Sequence, residues 1–290
     1  MSIIQTLVID VGYVVLGILV LTLSKIIKDV ITPFQDDEEL TVKDNPALGV
    51  SVAGYYAAVF AVFVGAFADS SEVANQTVAF DLKQLSMEML LVLGYSLGGI
   101  VLLNLSRFIV DHLMLYKFSV TKEILEDRNS GSGAVECGNY VASGLIIAGA
   151  IHGEGGGPLT ALVFFFLGQF VLILYGLFYQ LTTKYDIHKE IEADNVPAGV
   201  AMGGNIIAIG IILLKSLKGD FEGWLSNITD FFILAAVGFV VLFIIRLVFD
   251  WMMLPRATLT HEIAVDRNIN AAYLESTVLI GTAVVIFFAI

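Results

Sequence analysis

The glutamates Glu136 and Glu275 are the residues whose type and position most directly suggest chemistry. Each lies inside a long apolar stretch of the sequence. An ionised carboxylate in such a stretch is energetically costly and often has a function. Two such carboxylates beside a shared polar path could bind a small cation or pass a proton. An ion path through a membrane is therefore the first hypothesis for the function.

A closed charge network is the alternative for the same two glutamates. Arg107 and Arg246 lie near the ends of the apolar stretches that come just before those of Glu136 and Glu275. Asp111 and Asp250 follow these arginines by four residues. An Arg–Glu pair in each case, tied to the aspartate by the i,i+4 contact, would satisfy every charge. Such a network would hold the register of two helices. The spacing leaves both interpretations open.

The overall composition places both glutamates in a membrane protein. Hydrophobic residues make up 57% of the 290 residues, charged residues make up 15%, and the mean hydropathy is +0.86. So few charges could not cover the apolar surface of a soluble domain of this length. We predict an all-α, polytopic membrane protein with eight transmembrane helices, each long enough for a hydrocarbon core of about 30 Å. The eight stretches cover residues 5–31, 46–68, 86–115, 131–151, 159–183, 197–217, 226–253 and 269–290.

A fourfold repeat positions the glutamates within these stretches. The repeat is aligned on four asparagines, each preceded by a glutamate five or six residues upstream and followed by small residues four, eight and nine positions downstream. Asparagine is a favoured helix N-cap, so each is predicted to begin a returning helix. Small residues at this spacing let neighbouring helix backbones approach closely. The predicted N-caps are Asn45, Asn129, Asn195 and Asn268, and the predicted packing glycines are Gly49, Gly54, Gly133, Gly138, Gly199, Gly203 and Gly204.

The seventh position after each asparagine indicates a duplication. It holds Val52, Glu136, Met202 and Glu275 in turn, so apolar and acidic residues alternate. This alternation predicts four helical hairpins arranged as two four-helix halves, residues 1–153 and 158–290. Because each half crosses the membrane four times, both have the same orientation and should be related by a pseudo-two-fold axis along the membrane normal.

The distribution of Lys and Arg predicts the orientation of the chain. Most of the 15 basic residues lie in or near the four longer linkers. By the positive-inside rule these linkers face the cytoplasm. Both termini are then expected on the periplasmic or extracellular side.

No catalytic residue, cofactor or metal site is predicted, and we do not expect an enzyme. The sequence contains no HExxH motif and no nucleophile with an adjacent base. His152 and Glu154, in a glycine-rich turn, offer two ligands where a complete metal site usually needs three or four.

Two function classes follow from these observations. The first is a channel or transporter for small cations or protons that uses Glu136 and Glu275. The alternative is a membrane scaffold or stress sensor that recruits a cytoplasmic protein through the acidic linkers. The lipid bilayer is a partner in either case, and nothing indicates nucleic-acid binding. We also expect a homo-oligomer, because eight plain helices enclose little volume alone.

The repeat motifs resemble a known family. The sequences EI…DN.PAG, near Asn195, and DRN, at Asn129 and Asn268, are followed by small-residue strips within a duplicated four-span unit. These features are similar to the bacterial inner-membrane family known as domain of unknown function 350, or UPF0719, over nearly the whole chain as a tandem pair. The resemblance implies an inner (plasma) membrane location. It implies no activity and no catalytic residues. The chain departs from the pattern in its fifth span, which lacks the Arg/Asp pair.

Overall fold

A computed structural model of the chain describes residues 3–74, 82–153, 155–253 and 257–289. These ranges contain eight long helices, four helices of six residues, and no strand. The long helices are Ile3–Ile31 (α1), Pro46–Ala74 (α3), Leu82–Leu113 (α4), Ser130–Ala150 (α6), Pro158–Thr182 (α7), Val196–Leu217 (α9), Trp224–Met253 (α10) and Ile269–Ala289 (α12). The short helices are Asp36–Thr41 (α2), Val120–Leu125 (α5), Ile187–Glu192 (α8) and Leu259–Ala264 (α11).

Seven of the long helices in the described ranges are long and apolar enough to cross a membrane. The exception is α6, so the prediction of eight spans is not confirmed. Glycine, serine and asparagine lower the hydropathy of α6, and it also carries Glu136. Most of its residues are buried against neighbouring helices, which cover it in place of lipid. A helix covered by protein does not need the apolar composition of a lipid-facing span.

The long helices form two layers. Helices α3, α6, α9 and α12 pack side by side in that order, and we call them the inner row. Helices α1, α4, α7 and α10, the outer helices, pack against this row: α4 contacts α3 and α6, α7 contacts α6 and α9, and α10 contacts α9 and α12. In the most apolar part of α1, only 17% of the residues are buried inside the protein. Its exposed apolar side chains are suited to lipid contact.

Glycines set the close spacing of the inner row. A Cβ atom added to Gly54 would lie 2.5 Å from the Cα of Cys137, and one added to Gly138 would lie 2.6 Å from the Cα of Gly203. Such distances leave no room for a side chain, as in other close helix contacts within membranes. The remaining predicted glycines that meet a neighbouring inner helix in this way are Gly133, Gly199, Gly203 and Gly204. Gly49 differs, because its added Cβ would meet only a side-chain carbon of Leu40, 3.8 Å away.

The four repeat asparagines lie at the starts of the inner helices. The Asn129 side-chain oxygen accepts hydrogen bonds from the backbone amides of Gly131 and Ser132. The corresponding bonds run to Asn45 from Ala47 and Leu48, to Asn195 from Ala198, and to Asn268 from Asn270. Each asparagine follows a residue with φ between 48° and 57°: Asp44, Arg128, Asp194 and Arg267. This left-handed residue turns the chain from the short helix into the inner helix.

The short helices and their asparagines form what we call the linker layer. The side-chain amide of each of the first three asparagines donates to a backbone carbonyl in the next linker. The distance from the asparagine Nδ2 to the carbonyl oxygen is 2.8 Å from Asn45 to Ile124, 2.6 Å from Asn129 to Ile191, and 2.8 Å from Asn195 to Ile263. These bonds join the four linkers at one end of the helices.

Two buried charge networks

Glu136 is bound by an arginine of the preceding outer helix. Its Oε1 lies 2.6 Å from Nε of Arg107, and its Oε2 accepts a hydrogen bond from the Ser51 hydroxyl on α3. Arg107 also donates from Nη2 to the Thr121 hydroxyl in the linker layer, at 3.1 Å. The Glu136 side chain is only 6% exposed. The carboxylate is therefore both paired and hydrogen-bonded, which a buried charge requires.

Glu275 is bound in a similar way, but with different additional partners. Its Oε1 lies 2.8 Å from Nε of Arg246 and 3.3 Å from Nδ2 of Asn205 on α9. Arg246 also donates to the Thr183 hydroxyl at 3.0 Å, and its guanidinium lies 4.5 Å from the centre of the Tyr179 ring. The Glu275 side chain is fully buried. Its second oxygen, Oε2, has no hydrogen-bond partner among the described residues.

Asp111 and Asp250 contact the linker layer. Asp111 Oδ1 accepts from the backbone amide of Val120, the first residue of α5, at 3.1 Å. Asp250 Oδ1 accepts from the amide of Leu259, the first residue of α11, at 2.6 Å. In the closed network that the sequence suggests as one alternative, these aspartates contact the arginines, but the described residues include no such ion pair. A carboxylate at the start of a helix is favoured because unpaired amide groups point toward it.

A third buried ion pair was missed by the sequence analysis. Lys28 Nζ lies 2.6 Å from Asp36 Oδ2, and both side chains are at most 3% exposed. The ammonium group also lies 5.5 Å from the ring centre of Tyr55. The only signal for this pair in the sequence was a second lysine, Lys28, at the end of the first apolar stretch, three residues after Lys25, which is the position equivalent to the arginines of the second and fourth repeats. Its partner could not be found by register, because Asp36 lies in the linker and not in the returning helix.

A chain of uncharged polar groups extends deeper into α6. Gln169 on α7 donates from Nε2 to the Ser143 hydroxyl at 3.1 Å, and Ser143 donates to Asn139 Oδ1 at 3.4 Å. All three side chains are buried. Asn139 Nδ2 and Gln169 Oε1 have no hydrogen-bond partner in the described part of the chain. Buried polar groups normally have partners, so these atoms are candidates for water or ligand contact.

Three cavities in the described residues lie away from the two glutamates. One is beside the turn around His152, at the end of the helices opposite the linker layer. A second is an apolar groove between α4 and α7 that includes Gly94 and Gly98. The third is a small space beside His188. Neither Glu136 nor Glu275 lines any of the three.

No group of three or more potential metal ligands occurs in the part of the chain that the structure describes. Glu154, one of the two candidate ligands in the glycine-rich turn, lies outside the described residues.

The fold and the apolar helices define an all-helical integral membrane protein. The family model described as Domain of Unknown Function (DUF350) matches residues 2–151 and again residues 155–290, so the chain belongs to this family and contains it twice. A relative from Aquifex aeolicus (strain VF5), named UPF0719 transmembrane protein, is 23% identical over 253 residues, which cover 85% of this chain and 87% of the relative. No solved structure shows a significant match. The resemblance to this family is confirmed.

Proposed function

We propose that this protein is a membrane scaffold whose linker layer forms a docking surface for a partner protein. The observation that carries the proposal is the set of hydrogen bonds from Asn45, Asn129 and Asn195 to the next linker. Independent linkers of about a dozen residues would be poor docking sites, because binding would have to order each of them. Linkers that are already bonded to one another present a fixed surface.

The exposed side of the linker layer carries both signs of charge. The exposed acidic residues are Asp37, Glu38, Asp44, Glu126, Asp127, Glu192, Asp194 and Asp266, and the exposed basic residues are Lys43, Lys117, Lys122, Arg128, Lys184, Lys189 and Arg267. The sequence predicts acidic linkers, whereas the exposed charges of the described residues are nearly balanced. A partner would therefore recognise the pattern of charges rather than a net charge, which favours specificity. In this proposal the layer faces the cytoplasm, as the positive-inside rule predicts.

The ion path is a second candidate, and specific atoms favour it. Glu275 Oε2, Asn139 Nδ2 and Gln169 Oε1 are buried without hydrogen-bond partners in the described residues. Water or a cation could satisfy them. Against this candidate, Arg107 and Arg246 lie within 2.8 Å of the two carboxylates and neutralise them. The scaffold is therefore the better supported function, and no catalytic role is proposed.

In-cell photo-crosslinking tests the docking surface. A photoreactive amino acid placed at Lys122, an exposed residue of the linker layer, should capture one discrete partner protein. The substitutions Glu126→Lys and Asp127→Lys should reduce this capture at least several-fold, because they reverse two exposed charges. Glu222→Lys, exposed at the opposite end of the helices, is the matched control and should leave capture unchanged. Capture that is absent, or that is insensitive to the two linker substitutions, overturns the scaffold.

Ion flux in liposomes tests the second candidate. The scaffold predicts equal flux for liposomes with the wild-type protein, with the Glu136→Gln/Glu275→Gln variant, and with no protein, under proton and potassium gradients. A wild-type flux that the double substitution abolishes would support the ion path. The variant must retain the wild-type elution profile in detergent, so that loss of flux is not confused with misfolding.

A further inference from the structure

The two ends of the inner row expose helix faces that are buried elsewhere in the row. We call the side of an inner helix that carries the fourth and eighth residues after its asparagine the leading face, and the side that carries the ninth and thirteenth the trailing face. Within the chain, each trailing face packs on the leading face of the next inner helix. The leading face of α3 has no inner helix before it, and Ala53 and Phe60 on it are exposed. The trailing face of α12 likewise leaves Thr277 and Gly281 exposed.

The contacts between successive inner helices repeat in register. At each of the three interfaces the ninth residue after the asparagine lies against the eighth residue of the next repeat. The pairs are Gly54 with Cys137, Gly138 with Gly203, and Gly204 with Ser276. Continued by one more step, the same register places Thr277 of one copy against Ala53 of another.

The side chains at the two free faces are complementary in size. Inside the chain, the thirteenth residue of one repeat meets the fifteenth of the next, as in Ala58 with Gly144 and Ala142 with Gly210. At the free ends the same register pairs Gly281 with Phe60. Phe60 is 51% exposed, and a Cβ added to Gly281 would meet nothing within 4 Å. A large side chain thus faces a glycine, which is how close-packed surfaces fit together.

The linker layer is also incomplete at its last asparagine. The side-chain amide of Asn195 donates one hydrogen to Glu190 in its own linker and the other to the carbonyl of Ile263 in the next linker. Asn129 forms the same two kinds of bond, one within its own linker and one to the next. For Asn268 the structure shows only the bond within its own linker, to Glu262 at 2.7 Å. The residue that corresponds to Ile263 in the first repeat is Leu40.

We propose that a second copy of this chain continues the inner row. The trailing face of α12 packs on the leading face of α3 of the next copy, with Thr277 against Ala53 and Phe60 over Gly281. The Asn268 amide donates to the Leu40 carbonyl of the next copy. The two faces differ, so the interface is heterologous and the copies form either a closed ring or an open row. All hairpins of both copies enter the membrane in the same orientation. This assembly does not depend on the scaffold function.

Cysteine crosslinking tests the register of the contact. The background is Cys137→Ser, since serine occupies the equivalent position at Ser276. On this background, Thr277→Cys with Ala53→Cys should give a ladder of crosslinked multimers on oxidation in native membranes, because cysteines with Cα atoms within about 7 Å can form a disulfide. Thr277→Cys alone and the pair Thr277→Cys/Leu91→Cys are the controls, and Leu91 is exposed on an outer helix. Both controls should give less than a tenth of the ladder.

Two outcomes of the crosslinking overturn the proposal. One is an absence of species above the monomer in the double variant. The other is a dimer from Thr277→Cys alone that equals the product of the double variant, because it would mean that two copies of α12 pair about a two-fold axis.

A glycine substitution tests the same contact without oxidation. Gly281→Leu fills the space for Phe60 of the next copy but fits within a single chain, because nothing lies within 4 Å of its Cβ position. Gly94→Leu, at a glycine on α4 that is equally open, is the matched control. Dilution of fluorescently labelled protein in liposomes should show at least tenfold weaker association for Gly281→Leu and unchanged association for Gly94→Leu. Equal association of all three proteins, or no association of the wild type, overturns the proposal.

Discussion

At the scale of single residues, the buried glutamates depend on their arginines. Glu136 and Glu275 lie in helices packed within a membrane protein, and each carboxylate contacts one guanidinium at 2.6 or 2.8 Å. The free energy of such a pair is a balance between Coulomb attraction and the cost of removing both charges from water. Loss of one partner removes the attraction but leaves the remaining charge buried. Removing one member of the pair should therefore lower the free energy of unfolding more than removing both members would.

Arg246→Ala should strongly lower the free energy of unfolding, by about 3–5 kcal/mol. The substitution leaves the fully buried Glu275 carboxylate without its cation. The double variant Arg246→Met/Glu275→Leu, which removes both charges, should recover most of this loss. Lys25→Ala is the control, because its pair with Asp29 is partly exposed to solvent and should contribute at most about 1 kcal/mol. Unfolding by steric trapping in bicelles measures all three, and an Arg246→Ala variant as stable as Lys25→Ala would contradict the argument.

Glu123 in the linker layer should make stability depend on pH. Burial raises the pKa of this carboxyl above its usual value of 4.5, and the hydrogen bond from Asn129 only partly opposes the effect. The folded protein thus holds the proton at a higher pH than the unfolded chain does. The free energy of unfolding should fall as the pH rises from 4.5 through the raised pKa.

Glu123→Gln should remove this contribution to the pH dependence and should not lower the melting temperature at pH 7. Glutamine can still accept the Asn129 hydrogen bond. Glu126→Gln, which removes an exposed charge from the same linker, is the control. Melting temperatures measured between pH 4.5 and pH 7 check the effect. A melting curve for Glu123→Gln with the wild-type pH dependence would show that the Glu123 carboxyl does not cause it.

At the scale of helices, part of the structure was predictable from local signals. The repeat asparagines lie where the inner helices begin, since an N-cap is encoded within a few residues. The short linker helices were missed, because six charged and apolar residues are too few to show a helical period. The order of the inner row was also not predicted. Small residues indicate that a helix has a close neighbour, but they do not identify which helix that is.

The close approach of α6 and α9 should be sensitive to a single methyl group. A Cβ on Gly138 would lie 2.5 Å from the carbonyl oxygen of Gly203, so the obstacle is backbone that cannot rotate away. Gly138→Ala should lower the free energy of unfolding by about 1–3 kcal/mol, the usual range for overpacking. Gly94→Ala, where the added Cβ meets nothing within 4 Å, should instead raise it by about 0.5–1 kcal/mol, because alanine has the higher helix propensity. Equal effects of the two substitutions would contradict the close packing.

At the scale of the whole molecule, the two family repeats share a continuous row of inner helices. The contact between α6 and α9 crosses the junction between them, and it is as close as the contacts within either repeat. The hydrogen bond from Asn129 to Ile191 crosses the same junction in the linker layer. The division into residues 1–153 and 158–290 stays a prediction from the repeat pattern. We infer from this interface that each part leaves a helix face uncovered when it is alone.

The two parts should therefore reassemble when they are produced as separate chains. Residues 1–153 and 158–290, co-expressed with a tag on one part only, should purify together, because the faces of α6 and α9 remain complementary. Gly138→Leu should reduce the co-purified fraction at least tenfold, since the leucine would collide with the backbone of Gly203. Gly94→Leu is the control and should leave the fraction unchanged. Recovery of the untagged part at the same level with Gly138→Leu would show that the α6–α9 contact does not join the two repeats.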